Sequence, residues 1–257
     1  MQLKYIWIPL LFAVPSLCSA QAWDRRTYDQ ALNDPRKTVV EYFLLCPDIG
    51  LEDNGDFYVS PKIAPGRGAF EDRKNLLRKG FSTRSVSVDS AVVDIANAYI
   101  SISGNENPFL FTLTFVYFDR QGKSDIPAYS YYSDGINSAV VECRLYELSS
   151  ANAWNDVTDK LLPTLSLSDL EDSTWQHRGA YPEVAWECTL PQKGTTVLAS
   201  PHLIFHREDA DSPRPVDAVV EELLKRKIEL LWDNKQGRFR KGTVLLPAPA
   251  PDTPAGK

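Results

Sequence analysis

Histidine and cysteine are scarce in this chain, at three and four residues of 257. His177, His202 and His206 are too few for a histidine-rich metal centre, and no Cys-x-x-Cys pair occurs. Also missing are the Gly-x-Ser-x-Gly elbow of serine hydrolases, the Gly-x-x-x-x-Gly-Lys phosphate cradle and the Gly-x-Gly-x-x-Gly dinucleotide turn. The sequence therefore calls for no cofactor and no metal. Carboxylates are plentiful, so a glycosidase-type pair stays open, because such pairs are assembled by the fold rather than by spacing. Basic excess is lacking too: 28 Lys and Arg stand against 34 Asp and Glu, which gives no general attraction to nucleic acid.

Long apolar runs are equally few. Tyr5 to Val14 is an uncharged stretch of ten residues, preceded by Lys4 and followed by Pro15 and the small residues Ser16, Ser19, Ala20 and Ala22. That is the layout of a secretory signal peptide, and it is too short for a bilayer-spanning helix, which needs about 20 residues. Two cut points fit, after Ala20 and after Ala22, and the second has alanine at both key positions. A lipidated Cys18 is disfavoured because Leu17 stands where a small residue is expected. Removing Lys4 takes the net charge from −6 to −7. The next apolar run, Phe109 to Phe118, is interrupted by Thr112 and Thr114 and reads as a strand. The expected destination is the bacterial periplasm or the exterior, with no transmembrane segment in the mature chain.

Export leaves an odd number of cysteines: Cys46, Cys143 and Cys188. Either one disulfide and one free thiol form, or three thiols are buried. Cys143 and Cys188 sit mid-strand by pattern, each alternating with polar neighbours, so a Cys143–Cys188 bridge between neighbouring strands is the favoured pairing. A catalytic Cys46 would need an imidazole supplied by the fold.

The pattern divides the chain into a signal (1–22), an N-terminal α+β half (23–163), a C-terminal α+β half (164–246) and a proline-rich tail without fold (247–257). Asp34-Pro35 reads as a helix start, with Val39, Val40, Phe43 and Leu44 at helical spacing up to Cys46-Pro47. Phe70 to Lys79 is a second helix, capped by Gly80. The period then becomes two. Strands are expected at Ala98 to Ile102, Phe109 to Tyr117, Ile126 to Tyr132 and Ser138 to Leu148, with a short one from Trp154. In the second half, strands are expected at Val184 to Leu190, Thr195 to Ala199, His202 to His206, Ile228 to Trp232 and Arg238 to Leu246, with a helix from Pro215 to Lys227. The expected fold is α+β: an antiparallel β-meander with a few packed helices. Short parallels between the halves, such as Leu161-Leu162-Pro163 and Leu245-Leu246-Pro247, raise the idea of a duplicated unit.

Four patches are candidate sites. Tyr129 and Tyr131 share a strand face and, with Tyr117, form an aromatic platform suited to a sugar or peptide; alternatively they only pack the sheet. On a strand, His202 and His206 lie about 13 Å apart, too far to share a metal. Glu52-x-Asn54-x-Asp56 echoes a calcium loop, but Phe57 replaces the glycine such a loop needs. Arg73, Lys74, Arg78 and Lys79 form a basic helix face, which is either solvated or faces an anionic partner. The functional expectation is an exported, non-catalytic protein that binds a protein, peptide or glycan of the envelope or exterior, with an exported hydrolase as the alternative.

Overall fold

The computed structural model describes residues 23–47, 49–51, 57–59, 66–79, 86–106, 109–120, 123–134, 139–149, 153–171, 180–204 and 217–247. The signal, the acidic 52–56 loop, Gly80, His206 and the tail from 248 lie outside the described residues. Among the described residues no helix is long and apolar enough to cross a membrane.

The protein is α+β and antiparallel. A small ribbon, β1 (Ile49–Leu51) and β2 (Phe57–Val59), precedes the main sheet. That sheet is a six-stranded meander: β3 (Val86–Asp94), β4 (Tyr99–Glu106), β5 (Phe109–Phe118), β6 (Ile126–Asp134), β7 (Ala139–Leu148) and β8 (Trp154–Asp156). A four-stranded sheet runs in the order β12-β11-β10-β9, with β9 at Val184–Thr189, β10 at Thr196–Leu203, β11 at Lys227–Asp233 and β12 at Arg238–Leu245.

Strand alternation splits the main sheet into two faces. Phe111, Leu113 and Phe115 of β5 and Tyr129 and Tyr131 of β6 turn one way, against helices α1 (Tyr28–Asn33), α2 (Val39–Leu45) and α3 (Arg67–Lys79). Val116, Phe118, Ile126, Ala128 and Leu145 turn the other way, against Val197, Ala199, Ile228 and Leu230 of the small sheet. The main sheet is thus shared between two cores. Its uncovered end leaves Leu110 exposed at 56% and Val92 at 46%. The two sheets differ in strand number and in helix placement. Helix α4 (Thr158–Leu161) follows β8, and α5 (Ala218–Leu224) is inserted between β10 and β11, capped by the Asp217 carboxylate on the Val219 N–H at 2.8 Å.

Local chemistry explains where elements begin. Asp34 does not open α2; it ends α1. The α2 start is a capping box at Thr38, whose backbone N–H donates to Glu41 Oε2 at 2.7 Å while the Glu41 N–H donates back to Thr38 Oγ1. Asp34 is instead held by the Arg26 guanidinium and by the Arg36 N–H at 2.8 Å, which together keep its carboxyl below the ordinary 3.8. A depressed folded-state value stabilises the fold above the unfolded-state pKa, and that contribution is lost as pH falls through the folded value. Asp34→Asn is expected to be less stable than wild type at neutral pH and to lose less on acidification. Urea unfolding at about pH 7 and about pH 3 checks this.

The basic face of α3 is not solvated at its centre. Arg73 is 1% exposed and donates to the Leu44 carbonyl at 2.7 Å, and buried Lys74 donates to the Arg26 carbonyl at 2.9 Å. Arg73 satisfies a carbonyl left over in the last turn of α2. In the small sheet, β10 passes through Pro201 as one strand where two were expected. Pro201 pairs with Trp186 of β9, while pairing with β11 ends at Ala199, so the missing N–H falls where that side of the strand is open.

Candidate functional site

A cleft of about 930 Å³ opens where the α1–α2 connection, the β5–β6 hairpin and the end of β7 meet. Its volume is that of a small-molecule or oligomer site. Four segments contribute: 32–37, Tyr42 of α2, the hairpin residues Tyr117, Asp119 and 123–125, and Leu148 with Ser149.

Tyr117 supplies its aromatic face, and Tyr42, 6% exposed, packs beside it. Tyr42 stands 5.4 Å from Tyr117 between ring centroids, tilted by 51°, and its far side meets Trp154 edge-on at 6.5 Å. Its hydroxyl donates to Asp125 Oδ2 at 2.9 Å. Burial raises the phenol pKa of both Tyr42 and Tyr117, so both stay protonated donors. Burial likewise raises the Asp125 carboxyl above its ordinary value, and the Tyr42 hydrogen bond offsets part of that rise.

Charge around the cleft is balanced. Asp34, Asp119 and Asp125 face Arg36, Lys37 and Lys123. Lys37 donates to the Asp34 carbonyl at 2.7 Å, and burial lowers its pKa. The hairpin that carries Asp125 is braced. Arg120 donates to the Ser124 carbonyl at 2.7 Å and to Glu147 of β7 at 2.6 Å. The Trp232 indole donates to the Asp119 carbonyl at 3.3 Å. Gly237, at φ +65°, lies against the same Arg120 side chain; a Cβ there would meet Arg120 Cδ at 3.1 Å.

Of the tyrosines expected to form a platform, only Tyr117 reaches the cleft. Tyr129 is fully buried and Tyr131 is 7% exposed, both under the helices. They share a face with Tyr117, as the alternation required, but α2 covers that face beyond Tyr117. Tyr129 stacks on Tyr146 at 6.4 Å and Tyr131 on Phe111 at 6.5 Å, so their role is packing. Tyr42, which packs beside Tyr117, was read only as part of the α2 helix. Its partners Tyr117 and Asp125 are 75 and more positions away, and no local pattern links them.

Cys143 on β7 and Cys188 on β9 belong to the same core, between the two sheets, and both are free thiols. The neighbouring Cys188 thiol and then burial hold the Cys143 thiol well above its ordinary value. Cys46 closes α2 and is fully buried in the other core.

His202 lies on β10, where the strand reading placed it. Its Nε2 is 2.7 Å from Glu187 Oε2, and its ring is 5.8 Å from that of Tyr132. Ser200, two residues earlier on the same strand face, has a buried hydroxyl with no hydrogen-bond partner among the described residues. The imidazole is committed to Glu187 and not to Ser200, so these three residues do not form a nucleophile–base pair as they stand. Among the described residues no group of three or more His, Cys, Asp or Glu side chains is placed to hold a metal ion.

No protein-family model matches this chain, and no curated protein matches it. A solved domain of an uncharacterized protein from Porphyromonas gingivalis W83 is similar at a TM-score of 0.40 and 10% identity, covering 68% of this chain and 88% of that one.

Proposed function

We propose that this is an exported, non-catalytic binding protein of the periplasm or exterior, released by cleavage near Ala20 or Ala22, and that the Tyr42–Tyr117 cleft receives its ligand. The observation that carries the reading is the make-up of the cleft: an aromatic wall, a hydrogen-bonded carboxylate and three cations balanced by three carboxylates. Aromatic faces pack against C–H-rich rings, while carboxylate, amide and ammonium groups bind hydroxyls. A balanced charge favours an uncharged partner, so the ligand class is a neutral glycan.

A second reading rests on Asp125. Burial raises its pKa, and Asp119 lines the same cleft, which is the pairing of an acid with a carboxylate that a glycoside hydrolase requires. The same export would also expose the Cys143–Cys188 pair to oxidants, and we propose that it becomes a disulfide.

One experiment separates these readings. The mature protein is incubated with a panel of neutral oligosaccharides while binding is followed by calorimetry and products by chromatography. Binding without products supports the binding protein, and Tyr117→Ala is then expected to weaken it by about tenfold or more, the loss of one stacking contact of ~1.4 kcal/mol. Product release abolished by Asp125→Asn would establish the hydrolase. Absence of both binding and products would overturn the glycan assignment.

A further inference from the structure

A second groove, of about 440 Å³, runs beside the open edge of β12, between the β11–β12 hairpin and residues 160–163. Its floor is apolar, with Leu161 and Leu162; Phe239, 3% exposed, turns into the core on the opposite face of β12 from Arg238 and Arg240. Its rim is basic, with Lys160, Arg238, Arg240 and Lys241 against one carboxylate, Asp233.

That carboxylate is already in use. Asp233 Oδ1 accepts from the Lys235 and Gln236 N–H groups at 2.9 Å each, which closes the hairpin turn. Lys241 is occupied as well, on Asp169 at 2.6 Å. Arg240 and Lys160 have no ion-pair partner among the described residues. Arg238 is held through its Nε, which donates to Gln236 Oε1 at 2.8 Å, and neither terminal nitrogen of its fork has a partner among the described residues. Arg238 and Arg240 lie two residues apart on one strand, so their side chains leave the same face about 7 Å apart at the backbone. The chain as a whole is acidic, at net −6, so three cations around one groove, with Asp233 as the one carboxylate lining it, are a local arrangement and not a reflection of composition.

We infer that this groove is an oxyanion site for a phosphate-type group, with Arg238 and Arg240 as the chelating forks and Lys160 as the third cation. A guanidinium fork matches two oxygens of a phosphate, and an apolar floor strengthens such bonds by excluding water. Two sources share this chemistry, a soluble phosphate ester and a phospholipid headgroup. The site is separate from the Tyr42–Tyr117 cleft and does not rest on the glycan reading.

The test uses the full mature chain and its Arg238→Gln/Arg240→Gln variant, whose substituted side chains are exposed. Inorganic pyrophosphate is titrated while amide chemical shifts are followed. Sedimentation with phosphatidylglycerol vesicles, against phosphatidylcholine vesicles, forms the second arm. The expected result is saturable pyrophosphate binding with shifts centred on 160–163 and 238–241, about tenfold weaker in the variant and weakened by added salt. Unchanged shifts at Tyr117 would mark it as independent of the cleft. Co-sedimentation with anionic vesicles alone, lost in the variant, would assign the headgroup as the source. The inference is overturned if neither probe binds, if the variant binds as well as wild type, or if the shifts centre elsewhere. A circular dichroism spectrum matching wild type shows that the variant is folded.

Discussion

Truncating Phe43 to alanine is expected to lower the unfolding free energy by about 3–5 kcal/mol, the largest effect of any single side chain here. Helix α2 is buried on every side, and Phe43 is its centre, fully inaccessible and edge-on to Phe115 of β5 at 5.8 Å. Removing the ring leaves a cavity between helix and sheet that neither can close, because Val39, Val40, Leu44 and Leu45 fix α2 on its other sides. A domain of ordinary stability has about 5–15 kcal/mol in total, so the loss is a large fraction of it. Leu110→Ala, at an exposed position of the same sheet, is the control and should change stability by less than about 0.5 kcal/mol. Urea unfolding of the three proteins checks both. A Phe43→Ala loss below about 1 kcal/mol would show that α2 does not form the core of this unit.

The second large effect concerns the thiol pair. Cys143 and Cys188 are 45 positions apart and meet between the two sheets. Oxidation by a small disulfide such as oxidised glutathione removes two electrons and two protons from the pair and leaves two thiols on the oxidant. Closing a loop of that length is expected to stabilise the fold by about 4 kcal/mol, mainly by restricting the unfolded chain. The reaction is expected to be slow, because the raised Cys143 pKa leaves little thiolate. Alkylation of the oxidised protein in denaturant should then label Cys46 alone, and dithiothreitol should lower the unfolding midpoint of wild type but not of Cys143→Ser/Cys188→Ser. Three labelled cysteines after oxidation would contradict the prediction.

Both effects bear on what the sequence makes legible. Period-two patterning places β5, β6, β7, β9, β11 and β12 within a residue or two, because each strand has one buried face, whereas the pattern divides β10 at Pro201. The strand β3 escapes it. Ser87, Asp89 and Ser90 dilute its apolar signal, and the strand is held by pairing with β4. The α2 start is misread because Asp34-Pro35 and Thr38-x-x-Glu41 are both helix-start signals four residues apart. The reciprocal bonds of Thr38 and Glu41 decide between them. The cysteine pairing could be proposed because alternation fixes which side each thiol faces, although its two strands belong to different sheets. Alternation also puts Tyr117, Tyr129 and Tyr131 on one face, but it cannot show that α2 lies across two of them. The cleft and the basic groove are assembled from segments distant in sequence, and only the tertiary packing of the hairpins brings those segments together.

The most direct test of the central claim is a chemical-shift map of the mature protein titrated with neutral oligosaccharides. If the Tyr42–Tyr117 cleft is the binding site, a saturating ligand should move the amides of 33–37, Tyr42, Tyr117 and 123–125, and the map should vanish in Tyr117→Ala. A saturating ligand that moves residues elsewhere, or a panel in which nothing moves, would contradict it.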